Sequence, residues 1–210
     1  MRPFRAASIL GRLLPAALLA SCNHALPPLV TLDGRDCAAR PDLAGAQPII
    51  LDPDKDVTVR LDATAPCVQA ADGTKSVYGV FRLPQSADPY VVSVTSTLSG
   101  RGLFSPRLML VDREGTVLRE VPRDDFVFHG TSLYAGIRSH ADEAYMIVAS
   151  DPQSVGQQVS QTSEHGRATS APTGGGGFLT IGIGSEKTHR FTYSHNGVVT
   201  VSAQLLPKAN

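Results

Sequence analysis

The sequence contains no tryptophan, only 6 % aromatic residues and three cysteines in 210 residues. Its 19 Lys+Arg balance 19 Asp+Glu, so no broad basic face exists to neutralise nucleic-acid phosphates. No apolar run approaches the roughly 20 residues that a membrane-spanning helix needs. The chain has no G-x-S-x-G elbow, no H-E-x-x-H pair and no phosphate-binding glycine loop followed by lysine, which removes the commonest hydrolase and nucleotide signatures. Sugar sites favour flat aromatic platforms, so the missing tryptophan leaves that role to Tyr78, Tyr90, Tyr134 and Tyr145. The remaining composition, 42 % hydrophobic and 18 % charged, is that of a globular chain.

The first 21 residues read as an export signal. Arg2, Arg5 and Arg12 are their only charges, and residues 13–20 (LLPAALLA) form a short apolar stretch of signal length. The stretch ends Leu19-Ala20-Ser21-Cys22, which resembles the lipobox of bacterial lipoproteins. That resemblance implies cleavage between Ser21 and Cys22 and lipidation of Cys22. Each buried acyl CH₂ contributes about 0.8 kcal/mol, so several chains anchor firmly where one would exchange. Cleavage would remove three arginines and no acid, leaving a mildly acidic mature chain whose membrane attachment rests on the lipid. Asn23, in place of aspartate after the lipidated cysteine, implies sorting to the outer membrane by resemblance to enteric rules. With Cys22 acylated, Cys37 and Cys67 remain, and an even remainder in an oxidising compartment predicts one disulfide.

Residues 22–48 are rich in Pro, Ala and Gly and predict a lipidated tether, with the folded domain spanning 49–207. From Ile49 onward the hydrophobic period is two. Residues 57–61, 77–83, 90–97, 107–112, 116–121, 144–150, 178–183, 189–194 and 198–205 are short β-branched or aromatic runs separated by turn chemistry, which predicts strands. Asn196-Gly197 predicts a type I′ hairpin and Asp112-Arg113-Glu114-Gly115 a turn with Gly left-handed. Asp151 as cap and Pro152 at the first position, with Val155 and Val159 four apart, predict one short helix. Residues 160–177, Ser/Thr/Gly-rich and ending in four glycines, predict a long flexible loop. The expected fold is all-β: an antiparallel, jelly-roll-like β-sandwich with one short helix and that loop.

Candidate binding residues are few. The densest cluster is residues 123–129, where Asp124, Asp125 and His129 could hold a sugar hydroxyl together with Tyr134. Adjacent carboxylates on a strand point to opposite faces, so Asp124 and Asp125 make a poor catalytic pair. The six histidines are scattered and predict surface or hydrogen-bonding roles. His189 and His195 would lie about 20 Å apart along a strand, too far to share a metal. No catalytic residue, metal or cofactor is expected.

The run Phe81-Arg82-Leu83-Pro84, residues 90–96 (YVVSVTS), 104–112 (FSPRLMLVD), Phe126-Val127-Phe128, 145–149 (YMIVA) and 177–182 (GFLTIG) resemble the maltose-operon periplasmic protein family over about residues 49–207. The resemblance implies a periplasm-facing, non-enzymatic accessory protein associated with carbohydrate uptake, and carries no catalytic residues across. The lipobox and the Cys37/Cys67 pair depart from that family. The reading that results is a lipid-anchored, outer-membrane, periplasm-facing binding protein. Its partners are the membrane through its lipid, and an oligosaccharide or an outer-membrane protein, without nucleic acid. Two other readings stand beside it: a structural component of an envelope or secretion complex, and a glycan hydrolase using Asp124 or Asp125 with Glu143 as a distant acid.

Overall fold

The computed structural model describes residues 29–100, 102–172 and 178–207, with side-chain surroundings for all of these except 163–187. The export signal, Ser21, Cys22 and His24 therefore lie outside the described residues. In chain order the strands begin with β1 (Gln47–Pro48), β2 (Val57–Leu61), β3 (Cys67–Gln69), β4 (Lys75–Arg82) and β5 (Tyr90–Ser99). They continue with β6 (Gly102–Phe104), β7 (Pro106–Val111), β8 (Val117–Val121), β9 (Val127–His129) and β10 (Ser132–Arg138). The last are β11 (Tyr145–Ser150), β12 (Gln158–Pro172), β13 (Phe178–Ser194) and β14 (Gly197–Leu205). Among the described residues the only helical element is a 3₁₀ turn at Arg123–Asp125, and no helix is long and apolar enough to cross a membrane.

The strands form two sheets packed as a sandwich, without a closed barrel. The first sheet runs β4-β11-β7-β8, with β1 and β3 pairing opposite ends of β4. The second has β2-β14-β5-β10-β9 as its body, while β6 continues from the end of β5 and carries β13 and β12. The all-β sandwich matches the expectation, but both sheets are mixed, because β1 runs parallel to β4 and β6 parallel to β13.

Alternation explains the core. On β5, Val92 and Val94 point inward, and on β14 so do Val199, Val201 and Ala203. They meet Val77, Phe81, Leu108, Leu110, Met146 and Val148 of the first sheet in one cluster. Each such aliphatic or aromatic side chain contributes about 1.5–3 kcal/mol when removed from water. β4 and β11 are buried on both faces, which is why they read as continuous apolar runs. Their outer residues Tyr78, Val80, Ile147 and Ala149 pack with Val111 under Leu43 and Ala46. Leu32 lies in the main cluster and Ala38 bridges Val68, so the packed body begins before Ile49. The Cys37–Cys67 disulfide clamps this entry segment to β3. Closing a loop between partners 30 positions apart contributes roughly 3–4 kcal/mol in the chain-entropy account.

Three local expectations differ from the fold. The helix expected at Asp151 is a run of turns through Gly156, after which β12 starts. Asp151 does cap it, accepting the Gln153 amide, but Gly156 at φ +90° turns the chain so that its amide donates to Tyr193 and the Gln157 carbonyl accepts from Tyr193. Strand pairing thereby captures backbone groups that a helix would have used internally. The flexible loop expected at 160–177 is a strand as far as Pro172, paired residue by residue with β13 from Gln158↔Thr192 to Pro172↔Phe178. The same register fuses the two runs expected at 178–183 and 189–194 into one strand. Finally, Asn196-Gly197 is not a hairpin: neither residue has positive φ, and β13 and β14 pair with different partners. By contrast Gly115, at φ +87°, closes the β7–β8 hairpin as its sequence demanded.

Candidate functional site

Two clefts lie beside the outer end of β10, apart from a wider one of about 570 Å³ between residues 29–34, Lys75 and His195. One, of about 530 Å³, sits between the 84–90 segment and residues 138–143 and is lined by Tyr90, Arg138, Ser139, His140 and Glu143. A second, of about 330 Å³, lies between β8 and β10 and is lined by Arg119, Asp125, Gly136 and Arg138. Arg138 borders both. They open here because β9 is short and pairs only with Ser132–Tyr134, so the rest of β10 has no neighbour on that side.

Glu143 forms the floor of the first cleft. Its side chain is 1 % exposed, and its Oε1 accepts from Arg119 Nε at 3.0 Å and Nη2 at 2.8 Å. Its Oε2 accepts the His140 amide at 2.9 Å, and Arg119 Nη2 also donates to the Arg138 carbonyl. Next to it, Ser139 Oγ donates to Tyr90 Oη, which in turn donates to the Pro84 carbonyl at 2.7 Å. Every buried polar group named here is satisfied from within the chain, so the network holds the cleft walls in one arrangement. Such a carboxylate, sequestered and doubly bonded to a guanidinium, is a fixed electrostatic floor.

The four binding residues expected from sequence are only partly united. Asp124 and Asp125 sit on the 3₁₀ turn, not on a strand, and both are exposed. Asp125 reaches the second cleft beside Gly136, whereas Asp124 lines neither cleft. Tyr134 lies on the solvent face of β10, where its hydroxyl pairs with Ser93 Oγ at 3.1 Å. His129, at the exposed end of β9, lies opposite Ser132. Arg123 is drawn from the cluster into the structure, stacking over Tyr193 and Phe128. Arg119, Ser139 and Arg138 escaped sequence reasoning. Arg119 looks like an ordinary strand charge until β7–β8 pairing sets it against Glu143.

A second buried polar pair lies elsewhere. Ser150 Oγ is 2.8 Å from His195 Nδ1 and accepts the Val77 amide at 3.1 Å. Ser150 is fully buried and ties the Val77 amide to the His195 ring, so it acts as a strut between β11, β4 and the start of the β14 crossover. Burial pushes the His195 imidazole below its ordinary value near 6.5. The unfolded chain then binds a proton that the folded chain resists. The stability from this site is complete above pH 6.5 and declines as pH falls from there through the lower folded value. Denaturant midpoints measured from pH 7.5 down to 5 are expected to fall for the wild type, with a shallower fall for His195→Asn. Parallel pH profiles for the two proteins would refute this role.

Among the described residues no group of three or more His, Cys, Asp or Glu is placed to hold a metal. The Cys37/Cys67 pair is a disulfide, as cysteine parity indicated. Residues 73–174 match the family model described as Maltose operon periplasmic protein precursor (MalM). The match runs from the turn before β4 through β12 and takes in both clefts and the whole of β10. No curated protein and no solved structure matches the chain.

Proposed function

Because residues 73–174 carry the pattern of a family described as periplasmic and tied to the maltose operon, we propose that this chain is a lipid-anchored, periplasm-facing accessory protein. It assists carbohydrate uptake by binding and performs no chemistry. The family match is the observation that carries this reading. The lipobox at Leu19-Ala20-Ser21-Cys22 supports the anchor, and the disulfide suits an oxidising compartment. The self-satisfied Glu143 network supports binding over catalysis, since a hydrolytic acid must present its proton to the substrate. Replacing Cys22 with Ala is expected to move the protein from the outer-membrane fraction to a soluble or uncleaved species. Mature-size protein still in the membrane fraction would overturn the anchor, and maltodextrin uptake unchanged on deletion of the chain would overturn the accessory role.

A structural role in an envelope assembly is favoured by one observation. β12 and β13 pair over fifteen positions, a ribbon roughly 50 Å long, while β13 hydrogen-bonds to β6 of the second sheet at Thr192–Ser194 and packs Phe191 against Phe128 of β9. A two-stranded ribbon gains stability from a third strand or a packed face. Co-purification with a multi-subunit envelope complex, lost when the ribbon is shortened, is the expected result on that reading.

A further inference from the structure

The solvent face of the second sheet is chemically unusual for its size. Strands β2, β5, β10 and β14 contain no Asp, Glu or Lys, and their only charges are Arg60 and Arg138. Alternation turns most of their valines, leucines and alanines inward and a field of hydroxyls outward, with Val91 and Val198 on the outer face at its two ends. Register aligns Thr58, Thr200, Thr95 and Tyr134 in one row across four strands. At about 4.8 Å per strand that row is roughly 14 Å long. Ser202 and Ser93 lie opposite one another in the adjoining row, which ends at Gly136. Thr58 and Thr200 already share a hydrogen bond at 3.1 Å, so the row is ordered before any ligand arrives.

Gly136 explains the posture of Tyr134. A methyl group at position 136 would meet the Tyr134 phenol oxygen at 2.9 Å and two ring carbons at 3.5 and 3.6 Å. The tyrosine therefore lies down along β10 over a residue without a side chain, its hydroxyl held by Ser93. Glycine inside a strand weakens it and frequently marks the close approach of another group. Here it leaves a partly exposed aromatic ring beside the hydroxyl rows, at the rim of the cleft that Gly136 and Asp125 share.

We propose that this face binds a neutral hexose chain, with Tyr134 as the stacking platform and the Thr58–Thr200–Thr95 row as its hydrogen-bonding track. The inference rests on the carbohydrate-linked reading above and names the site and ligand class for it. The choice of occupant follows from complementarity. An anionic or cationic chain would find no band of opposite charge within the face, and an apolar partner would strip water from hydroxyls without replacing their hydrogen bonds. A neutral sugar supplies hydroxyls that donate and accept, as Ser and Thr do, and a C–H face that packs on an aromatic ring. The two arginines sit at the ends of the field, where each can donate to a ring or hydroxyl oxygen.

Calorimetric titration of the full mature chain with maltoheptaose and, separately, with cellohexaose tests this. The two probes share neutral hexose chemistry and differ in chain shape, so their relative affinities identify which glucan the track fits. Saturable binding of at least one is expected. Tyr134→Ala should weaken it roughly tenfold and Thr200→Val severalfold, whereas Tyr134→Phe, which keeps the ring, should stay within about threefold of wild type. Thermal melting of each variant separates lost binding from lost fold, and Thr200→Val, on the exposed face, serves if Tyr134→Ala melts early. Affinity unchanged in well-folded Tyr134→Ala and Thr200→Val would overturn the site, as would no saturable binding of either chain. Neither outcome touches the accessory role, which fractionation and uptake decide on their own.

Discussion

Replacing Arg119 with Ala is expected to cost about 3–5 kcal/mol, the usual penalty for leaving a buried charge without its partner. The reason is asymmetric exposure. Glu143 keeps 1 % of its side chain in contact with solvent while Arg119 keeps 32 %, so loss of the guanidinium strands the carboxylate in a place water scarcely reaches. What would remain is His140, whose amide donates to Oε2 and whose Nδ1 stands 3.8 Å from Oε1, while both Arg119 hydrogen bonds to Oε1 would be lost. Glu143→Gln should cost less: the amide oxygen can still accept from Arg119, and the guanidinium retains access to solvent. The double variant Arg119→Leu/Glu143→Leu should recover much of the loss, since a well-packed apolar pair is often as stable as a buried ionic one. For a chain of this size the single Arg119→Ala change should lower Tm by on the order of 10 °C. A drop within 2 °C, or a double variant as unstable as the worse single one, would show that the pair is not what holds the cleft.

Gly197→Ala should lower stability by about 3 kcal/mol, although it adds one methyl group and requires no forbidden backbone angle. Gly197 begins β14, where the chain leaves β13 and crosses to pair with β2 and β5. A Cβ there would sit 2.6 Å from Phe104 Cβ and 3.1 Å from the Phe104 backbone nitrogen. Phe104 cannot retreat: it is fully buried, and its carbonyl accepts from Ser96 Oγ at 2.8 Å while β6 is held between β5 and β13. The whole crossover would have to shift, and the Ser150–His195 strut lies immediately before it. Chemical denaturation should show a lower midpoint with little change in slope. An alanine variant as stable as wild type would mean that the two strands are less closely pressed than the structure has them.

Gly197 also shows why some of the fold was illegible. An Asn-Gly pair between two alternating runs has every local mark of a hairpin, and hairpin chemistry is local. What displaced it is not: β14 finds partners 100 and more residues earlier in the chain, and the glycine answers to Phe104 instead of to a turn. β12 was missed for a related cause. Its Ser/Thr-rich sequence is equally at home in a loop, and only pairing with β13 uses its backbone. β10 carried a weak pattern because Gly136 interrupts it, and that glycine has meaning only once Tyr134 is seen lying above it. Asp124 and Asp125 drew attention by adjacency, yet the buried acid of the cleft is Glu143, whose partner stands 24 residues away.

By itself the sequence determined the period-two strands, the inward valines and leucines, the glycine-bearing Asp112–Gly115 turn and the parity of Cys37 with Cys67. Each of these depends on neighbours within a few residues or on a count, and such physics is written along the chain. Only the tertiary structure decided which strands share a sheet, that Arg119 meets Glu143, that Gly197 presses on Phe104 and that Thr58, Thr200, Thr95 and Tyr134 fall in one row. Those are long-range contacts selected by how two sheets bury their common core, and no local preference distinguishes them from their alternatives.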